Sequence, residues 1–180
     1  DGSRAAFHLL NTLISRLGLL LVVIQILVLP LFLAPAWLPG LAERWYLAAE
    51  LSRILFPYML LICLGALACG MLNVLGRFGL AAFNPVWLNL AMILGMLWGL
   101  HVFPESTVDR VLLLSAGVLA GGLLQLAVPL AGLSRQGWRP SLFPETHPLT
   151  GRVLRLFLPG LLGAAIYQLN ILVVRFLAFS

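Results

Sequence analysis

Several amides stand inside or at the edges of long hydrophobic runs: Gln25, Asn73, Asn84, Asn89, Gln125, Gln168 and Asn170. An amide buried in an apolar medium without a partner carries a heavy desolvation cost. Each must therefore face another helix or a wet cavity. Two chemistries suit them, hydrogen bonding between helices and contact with a polar substrate or ion. For any single amide, bonding between helices is the weightier expectation. Asn84 and Asn89 are five residues apart and Gln168 and Asn170 two apart. At ~100° per helical residue the first pair diverges by about 140° and the second by about 160°. One member of each pair can thus face a lumen while the other bonds a neighbouring helix.

Catalysis finds little to work with. His8, His101 and His147 are far apart, and His101 and Glu105 flank a proline-containing loop. Cys63 and Cys69 share one apolar run. On a helix they point about 120° apart and cannot bridge each other. No metal-ligand spacing and no glycine-rich phosphate loop is present. Neither an enzyme nor a cofactor is expected.

These side chains sit in a chain of 180 residues that is 62% hydrophobic and only 9% charged, with a mean hydropathy of +1.06. A soluble domain carries roughly 25% charged residues, so this chain lacks the polar surface to coat itself and belongs in a membrane. The net charge of +5 comes from arginine alone. The arginines fall in short gaps between apolar runs, with no basic stripe and no interleaved aromatics, which argues against nucleic acid. Their pattern fits topology instead.

A membrane-spanning helix needs about 20 mostly apolar residues. Five stretches qualify: Leu17 to Leu38, Ile54 to Leu75, Phe78 to Phe103, Val111 to Leu133 and Leu156 to Val174. None holds an Asp, Glu, Lys or Arg, and their length excludes barrel strands. The expected fold is an all-α polytopic membrane helix bundle forming a single transmembrane domain, with no soluble domain. Arg4, Arg16, Arg77, Arg135, Arg139, Arg152 and Arg155 fall on the N-terminal side, against Arg44, Arg53, Arg110 and Arg175 on the other. That excess places the N-terminal side in the cytoplasm, with Trp37, Trp45 and Tyr46 as an interfacial belt on the outer side. The 134–152 connection is expected to be cytoplasmic and to lie near the lipid headgroups, where its arginines can meet anionic lipid. The chain begins with Asp1, without a basic n-region and cleavage site before the first run. It is expected to be a piece of a longer protein rather than to carry a signal peptide.

Helices in lipid need close packing to associate. Gly95 and Gly99 form a G-x-x-x-G step on the third span, Gly117 and Gly121 another on the fourth with Gly122 adjacent, and Ala66 and Gly70 a weaker step on the second. Pro30, Pro35, Pro57, Pro85, Pro129 and Pro159 lie within or near spans. Each removes a backbone donor, and the freed carbonyls must be satisfied by neighbours or water. The stretch LNVLGRFGLAAFNPVWLN, residues 72–89, reads as a tight joint between the second and third spans. Gly76 and Gly79 are expected to permit the reversal, with Arg77 holding it on the inner side. Asn73 and Asn84 are expected to bond across the hairpin, and Pro85 to bend the third helix.

Residues 51–93, LSRILFPYMLLICLGALACGMLNVLGRFGLAAFNPVWLNLAMI, resemble the MurJ (MviN) family of lipid II flippases. The likeness is carried by Arg53, Phe56-Pro57-Tyr58, the small-residue run to Gly70, Leu72-Asn73, Gly76-Arg77-Phe78, Ala82-Phe83 with Pro85, and Leu88-Asn89. Residues 158–173, LPGLLGAAIYQLNILV, look like a later helix of that family. The resemblance implies a fourteen-helix bundle of two lobes, of which these spans would be the third through seventh. It also implies alternating-access transport of the undecaprenyl-linked cell-wall precursor across the bacterial inner membrane. The family's functional arginines lie largely in its first two and eighth helices, which this chain does not hold. Family members often carry a polar residue where Val174 stands.

On that resemblance the expected partners are the undecaprenyl-linked precursor lipid II, membrane lipids and the remaining helices of the parent protein, with no nucleic acid. The expected cavity-lining residues are Arg53, Asn73, Arg77, Asn84, Asn89, Gln168 and Asn170. Amides and arginines would meet the sugar-pyrophosphate, and a greasy groove would take the polyprenyl tail. The alternatives are a related multidrug or polysaccharide exporter of the same superfamily, and a non-transporting scaffold or gene remnant.

Overall fold

The computed structural model describes residues 2–32, 43–141 and 150–179. Seven helices follow in order: α1 (Gly2–Val28), α2 (Glu43–Leu55), α3 (Tyr58–Val74), α4 (Phe78–Ala82), α5 (Asn84–Val102), α6 (Thr107–Ser134) and α7 (Thr150–Phe179). The all-α expectation holds, with no strand among the described residues. Helices α1–α6 form one compact unit and α7 a second.

Four segments are long and apolar enough to cross a membrane: Arg4–Phe32, Trp45–Val74, Phe78–Val102 and Thr107–Ser134. The first differs most from the expected span. Its helix begins at Gly2 because residues before the apolar run are amphipathic, and Leu10 drives into the core at 2% exposure. The end of that expected span, with Trp37, lies outside the described residues. Helix α6, the fourth apolar segment, starts before its apolar run because Ser106 caps it, accepting a hydrogen bond from the Asp109 amide at 3.2 Å, which satisfies one of the orphan donors of the first turn. In α7, Ala165–Arg175 forms a shorter apolar helix among the described residues.

Contacts between the helices set their directions. Leu10 of α1 packs with Leu72 of α3 in one apolar cluster. Further along α1, Gly18 lies against Leu64, and the Gln25 side chain donates to the Phe56 carbonyl at 3.1 Å. Helix α1 thus runs antiparallel to α3. On α6, Gly122 meets Tyr58 and Gly132 approaches Leu72, so α6 runs parallel to α3. Helix α5 runs antiparallel to α6, with Gly95 beside Gly117 and Gly99 beside Arg110.

The buried core is small: Leu10, Ala68, Leu72, Leu133 and Trp138, ringed by Phe7, Ile14, Leu67, Met71, Leu75, Ala81 and Leu130. Large side chains such as Leu19 (67%), Trp98 (68%) and Leu27 (70%) stand exposed. An exposed apolar surface of this extent marks a lipid-facing or helix-facing exterior, and with four crossing helices the chain is multi-pass.

The prolines divide the spans. Pro57 separates α2 from α3. At this break Met59 N and Gln25 Nε2 both reach the Phe56 carbonyl, at 3.2 and 3.1 Å. The Phe56 carbonyl beside the break thus takes a donor from α1. Pro85 sits in the first turn of α5, where its missing N–H is one of the orphan donors anyway. It starts a helix after the break at Phe83 and does not bend one from within. Pro129 lies inside α6 and Pro159 inside α7.

Candidate functional site

At one end of the bundle α3 and α6 terminate by the same device. Gly76 takes φ +72, while Gly76 N bonds Asn73 O at 3.0 Å and Arg77 N bonds Leu72 O at 2.8 Å. Gly137 takes φ +90, while Gly137 N bonds Ser134 O at 3.0 Å and Trp138 N bonds Leu133 O at 3.1 Å. Both are Schellman caps, in which a left-handed glycine lets its own amide and the next satisfy carbonyls of the last turn. Gly76 makes the reversal after α3. Gly79, expected to share that role, lies within helix α4 with no positive φ. One Arg77 guanidinium nitrogen lies 3.5 Å from Gln136 Oε1, a long contact linking the two caps. The expected bond between Asn73 and Asn84 across the hairpin is absent from the described hydrogen bonds, and Asn73 is exposed. Their backbone carbonyls serve instead, Asn73 O in the α3 cap and Asn84 O as the acceptor for Gln125.

Deeper in the bundle an amide network joins three helices. Tyr58 Oη donates to Gln125 Oε1 at 3.1 Å, and Gln125 Nε2 donates to the Asn84 carbonyl at 3.4 Å. Gln125 is buried at 5% exposure. It therefore ties α3, α6 and the start of α5 together, which is the interhelical bonding expected of the amides. Asn84 Oδ1 and Trp87 Nε1 are buried with no hydrogen-bond partner among the described residues.

Glycines allow these contacts. A Cβ on Gly117 would lie 2.9 Å from Ala91 O, on Gly121 2.9 Å from Leu88 Cα, and on Gly65 2.8 Å from Gln125 O. The G-x-x-x-G steps of the third and fourth spans thus face each other. The Ala66–Gly70 step does not share in this packing. Ala66 is exposed, and an added Cβ on Gly70 meets nothing within 4 Å. Helix α3 packs through Gly65, Ala68 and Leu72 instead, a face about 100° round from the expected one.

Arg53 is exposed in the last turn of α2, before α3, and Arg77 is exposed just after it. The 17 residues of α3 separate them by about 25 Å at 1.5 Å per residue. Asn89 is exposed on α5, and Gln168 and Asn170 are exposed on α7 in the second unit. Of the expected site residues, Asn73 and Arg77 share one end of the bundle, Arg53 stands at the other, and Asn84 joins the Gln125 network.

Residues not singled out beforehand complete the picture. Trp138 Nε1 donates to Asn11 Oδ1 at 2.9 Å, and Asn11 Nδ2 donates to Arg139 O at 2.9 Å. Ser15 Oγ donates to Ser141 O at 3.3 Å. The chain after α6 therefore turns back and runs along α1 for a full turn, as a strap of residues 138–141. Tyr58 was visible only as part of the Phe-Pro-Tyr step.

Comparison with known proteins agrees with this architecture. The family model described as "Lipid II flippase MurJ" matches residues 1–180. A "Probable lipid II flippase MurJ" of Rhizobium tropici is 33% identical over 182 residues, covering 99% of this chain and 34% of that protein. The "Probable lipid II flippase MurJ" of Vibrio cholerae is 36% identical over 146 residues, covering 79% of this chain and 27% of its own length. The "Lipid II flippase MurJ" of Burkholderia cenocepacia is 35% identical over 136 residues, covering 73% and 26%. No solved structure matches the chain. It spans about a third of the length of the first of these relatives. With the match running over all of its residues, the chain belongs to the MurJ family.

Proposed function

We propose that the chain forms part of a lipid II flippase, which moves the undecaprenyl-linked peptidoglycan precursor across the bacterial inner membrane by alternating access. The observation that carries this reading is the family match over residues 1–180. The protein acts as a transporter, not an enzyme. The chain contributes five crossings to one transmembrane domain, with α7 as the fifth. Its N-terminal side lies in the cytoplasm, supported by the arginine excess on that side, and the parent's remaining helices complete the cavity.

The arrangement suits such a wall. Helices α3, α5 and α6 form a body packed backbone against backbone, able to move as one piece. The Phe56–Pro57 break, held by Gln25, is where α2 can shift against it. Arg53 and Arg77 lie at opposite ends of α3, so each meets the substrate headgroup in one access state. Asn73, Asn89, Gln168 and Asn170 are exposed and offer amides to the sugar-pyrophosphate. Asn84 is the least exposed of the expected site residues, and its carbonyl already serves Gln125. Its free side-chain oxygen keeps it on the cavity wall.

The test uses the full-length parent protein in a strain depleted of its own flippase. Restored externalisation of the precursor is expected. Normal expression in the membrane without restoration rejects the proposal. In the same assay Asn84→Leu separates its two roles: loss of folded protein means a strut between helices, and loss of transport alone means a substrate contact.

A further inference from the structure

Two buried polar atoms without a partner among the described residues lie one turn apart on α5, Asn84 Oδ1 and Trp87 Nε1. One is an acceptor and the other a donor. Leaving a buried polar group unpaired costs more than an ordinary hydrogen bond contributes, so each calls for an explanation. Residues three apart on a helix are neighbours, and helical side chains lean toward the N-terminus. The Trp87 indole is therefore carried back over the turn that holds Asn84. In this structure it is engaged elsewhere, edge-on to Phe83 with ring centroids 6.4 Å apart and planes at 67°.

The surroundings leave the ring room to change places. A cavity of about 410 Å³ lies against Trp87, lined also by Leu90, Ala91, Ala120 and Leu124. The backbone beneath is a joint. Helix α4 ends at Ala82 and α5 begins at Asn84. Pro85 has no N–H to extend the helical ladder, and Val86 N bonds Phe83 O at 3.1 Å across a shortened step. Beyond the joint, α5 is fixed to α6 by the glycine contacts at Leu88, Ala91 and Gly95. A change at the joint is therefore taken up by α4, which starts directly after Arg77.

We infer that residues 83–87 form a two-position latch. In the position described, Trp87 keeps its ring contact with Phe83 and two polar atoms stay bare. In the other, the indole leaves Phe83, using the free space of the cavity, and Trp87 Nε1 donates to Asn84 Oδ1. An edge-to-face ring pair and a buried hydrogen bond are of similar strength, so both positions are populated. Asn84 serves in both, because Gln125 holds its backbone carbonyl and not its side chain. Gln125 thus keeps α6 on the joint while the side-chain oxygen gains or loses its donor. The latch gives α4, and with it the loop that carries Arg77, two settings without disturbing the α5–α6 contact. It does not depend on what the parent protein transports.

The test is nitrogen–proton NMR of the full-length parent protein in detergent, with its tryptophan and glycine residues isotopically labelled. Trp87→Phe identifies the Trp87 indole signal. Gly79→Ala, whose added Cβ meets nothing within 4 Å, identifies the Gly79 amide on α4. Two Trp87 indole signals are expected, one of them moved downfield by hydrogen bonding, and the Gly79 amide should divide in the same ratio. Asn84→Leu should remove the downfield indole signal, and Asn84→Asp, which keeps an acceptor, should retain it. Phe83→Leu, at an exposed position, removes the competing ring and should raise the downfield-to-upfield ratio about fivefold. That variant decides the matter even if Asn84→Leu fails to fold. Three results would overturn the inference. One is a single indole signal in both wild type and Phe83→Leu. Another is a downfield signal that survives Asn84→Leu, which would place its acceptor on a water or on another helix of the parent. The third is a divided indole signal beside an undivided Gly79 amide, which would confine the change to one side chain. None of these readouts involves precursor transport, so failure here and failure of the flippase reading are distinguishable.

Discussion

Along α6, two seams hold neighbouring helices by different chemistry. Against α5 the contact is backbone on backbone, with Gly117 at Ala91 and Gly121 at Leu88, and no room for a Cβ. At the far end of α6 the strap meets α1 through side-chain hydrogen bonds from Asn11, Ser15 and Trp138, leaving a cavity beside Arg16. In lipid, helix association draws on packing and hydrogen bonds and not on hydrophobic drive. The first seam relies chiefly on packing, with one hydrogen bond from Gln125 to the Asn84 carbonyl, and tolerates no added volume. The second relies on polar bonds around open space and can exchange partners.

The largest effect should come from adding volume to the first seam. Gly121→Leu and Gly117→Leu place side chains where a single Cβ already sits 2.9 Å from backbone. Neither backbone can step aside alone, so each should cost about 3 kcal/mol or more. The measurement is the yield and thermal stability of monodisperse protein after extraction. Gly70→Leu is the control, since it meets open space and raises hydrophobicity by the same amount. If all three behave alike, insertion and not packing governs, and the contrast between the seams fails.

This seam was also the most legible part of the sequence. The spacing of Gly95, Gly99, Gly117 and Gly121 is a packing signal that depends on one helix face at a time, and both faces met as expected. Ala66 and Gly70 show the limit of the signal. The same four-residue step marks a smooth face, but nothing in it says whether that face meets a helix or lipid. Gly76 and Gly79 illustrate the same point for turns. Only the first takes a positive φ, because its amide and the next complete the α3 cap. The strap was not legible at all. Its bonds join residues more than 120 positions apart, and Asn11 and Trp138 have no local pattern that announces a partner. The membrane-depth amides were half legible: Gln125 had to face another helix or a wet cavity, but its partner Tyr58 was hidden inside a family-like triplet.

A smaller effect is expected from the polar network that reinforces the rigid body. Gln125→Leu leaves the Tyr58 hydroxyl without its acceptor and the Asn84 carbonyl without its donor. Hydrogen bonds between membrane helices are worth on average about 0.6 kcal/mol and at most about 1.7 kcal/mol, so a loss of about 1 kcal/mol is expected. A double-mutant cycle with Tyr58→Phe should show coupling, because both changes remove the same bond. Additive losses would mean that the network contributes no pairwise energy and that the glycines alone hold α3 to α6.

In the second seam, Asn11→Ala removes both the bond from Trp138 and the bond to Arg139. One end of the site is exposed, and water can replace part of what is lost, so the cost in global stability should stay below about 1 kcal/mol. The local consequence is larger. Hydrogen exchange of the amides in residues 138–141 should speed up by about tenfold, while the α5–α6 amides keep their protection. Equal acceleration in both regions would show that the two seams open together and are not separate devices.

Asn89→Leu should have the smallest effect on folding, and for that reason it is the sharpest test of the site. Asn89 is exposed on α5 and about 140° round the helix from Asn84, so it has no part in the α3–α5–α6 bonding that Gln125 organises. Leucine suits a lipid-facing position at least as well as asparagine does, and the folded yield should match wild type within about 0.5 kcal/mol. If Asn89 meets the substrate headgroup, precursor externalisation by the full-length protein should fall while folding does not. If neither changes, the exposed amide is only a surface residue of the rigid body, and the headgroup contacts must be sought at Arg53, Asn73, Arg77 and α7. The comparison of seams makes this outcome interpretable. A residue outside the glycine contacts and outside the strap can change transport only by touching what is transported.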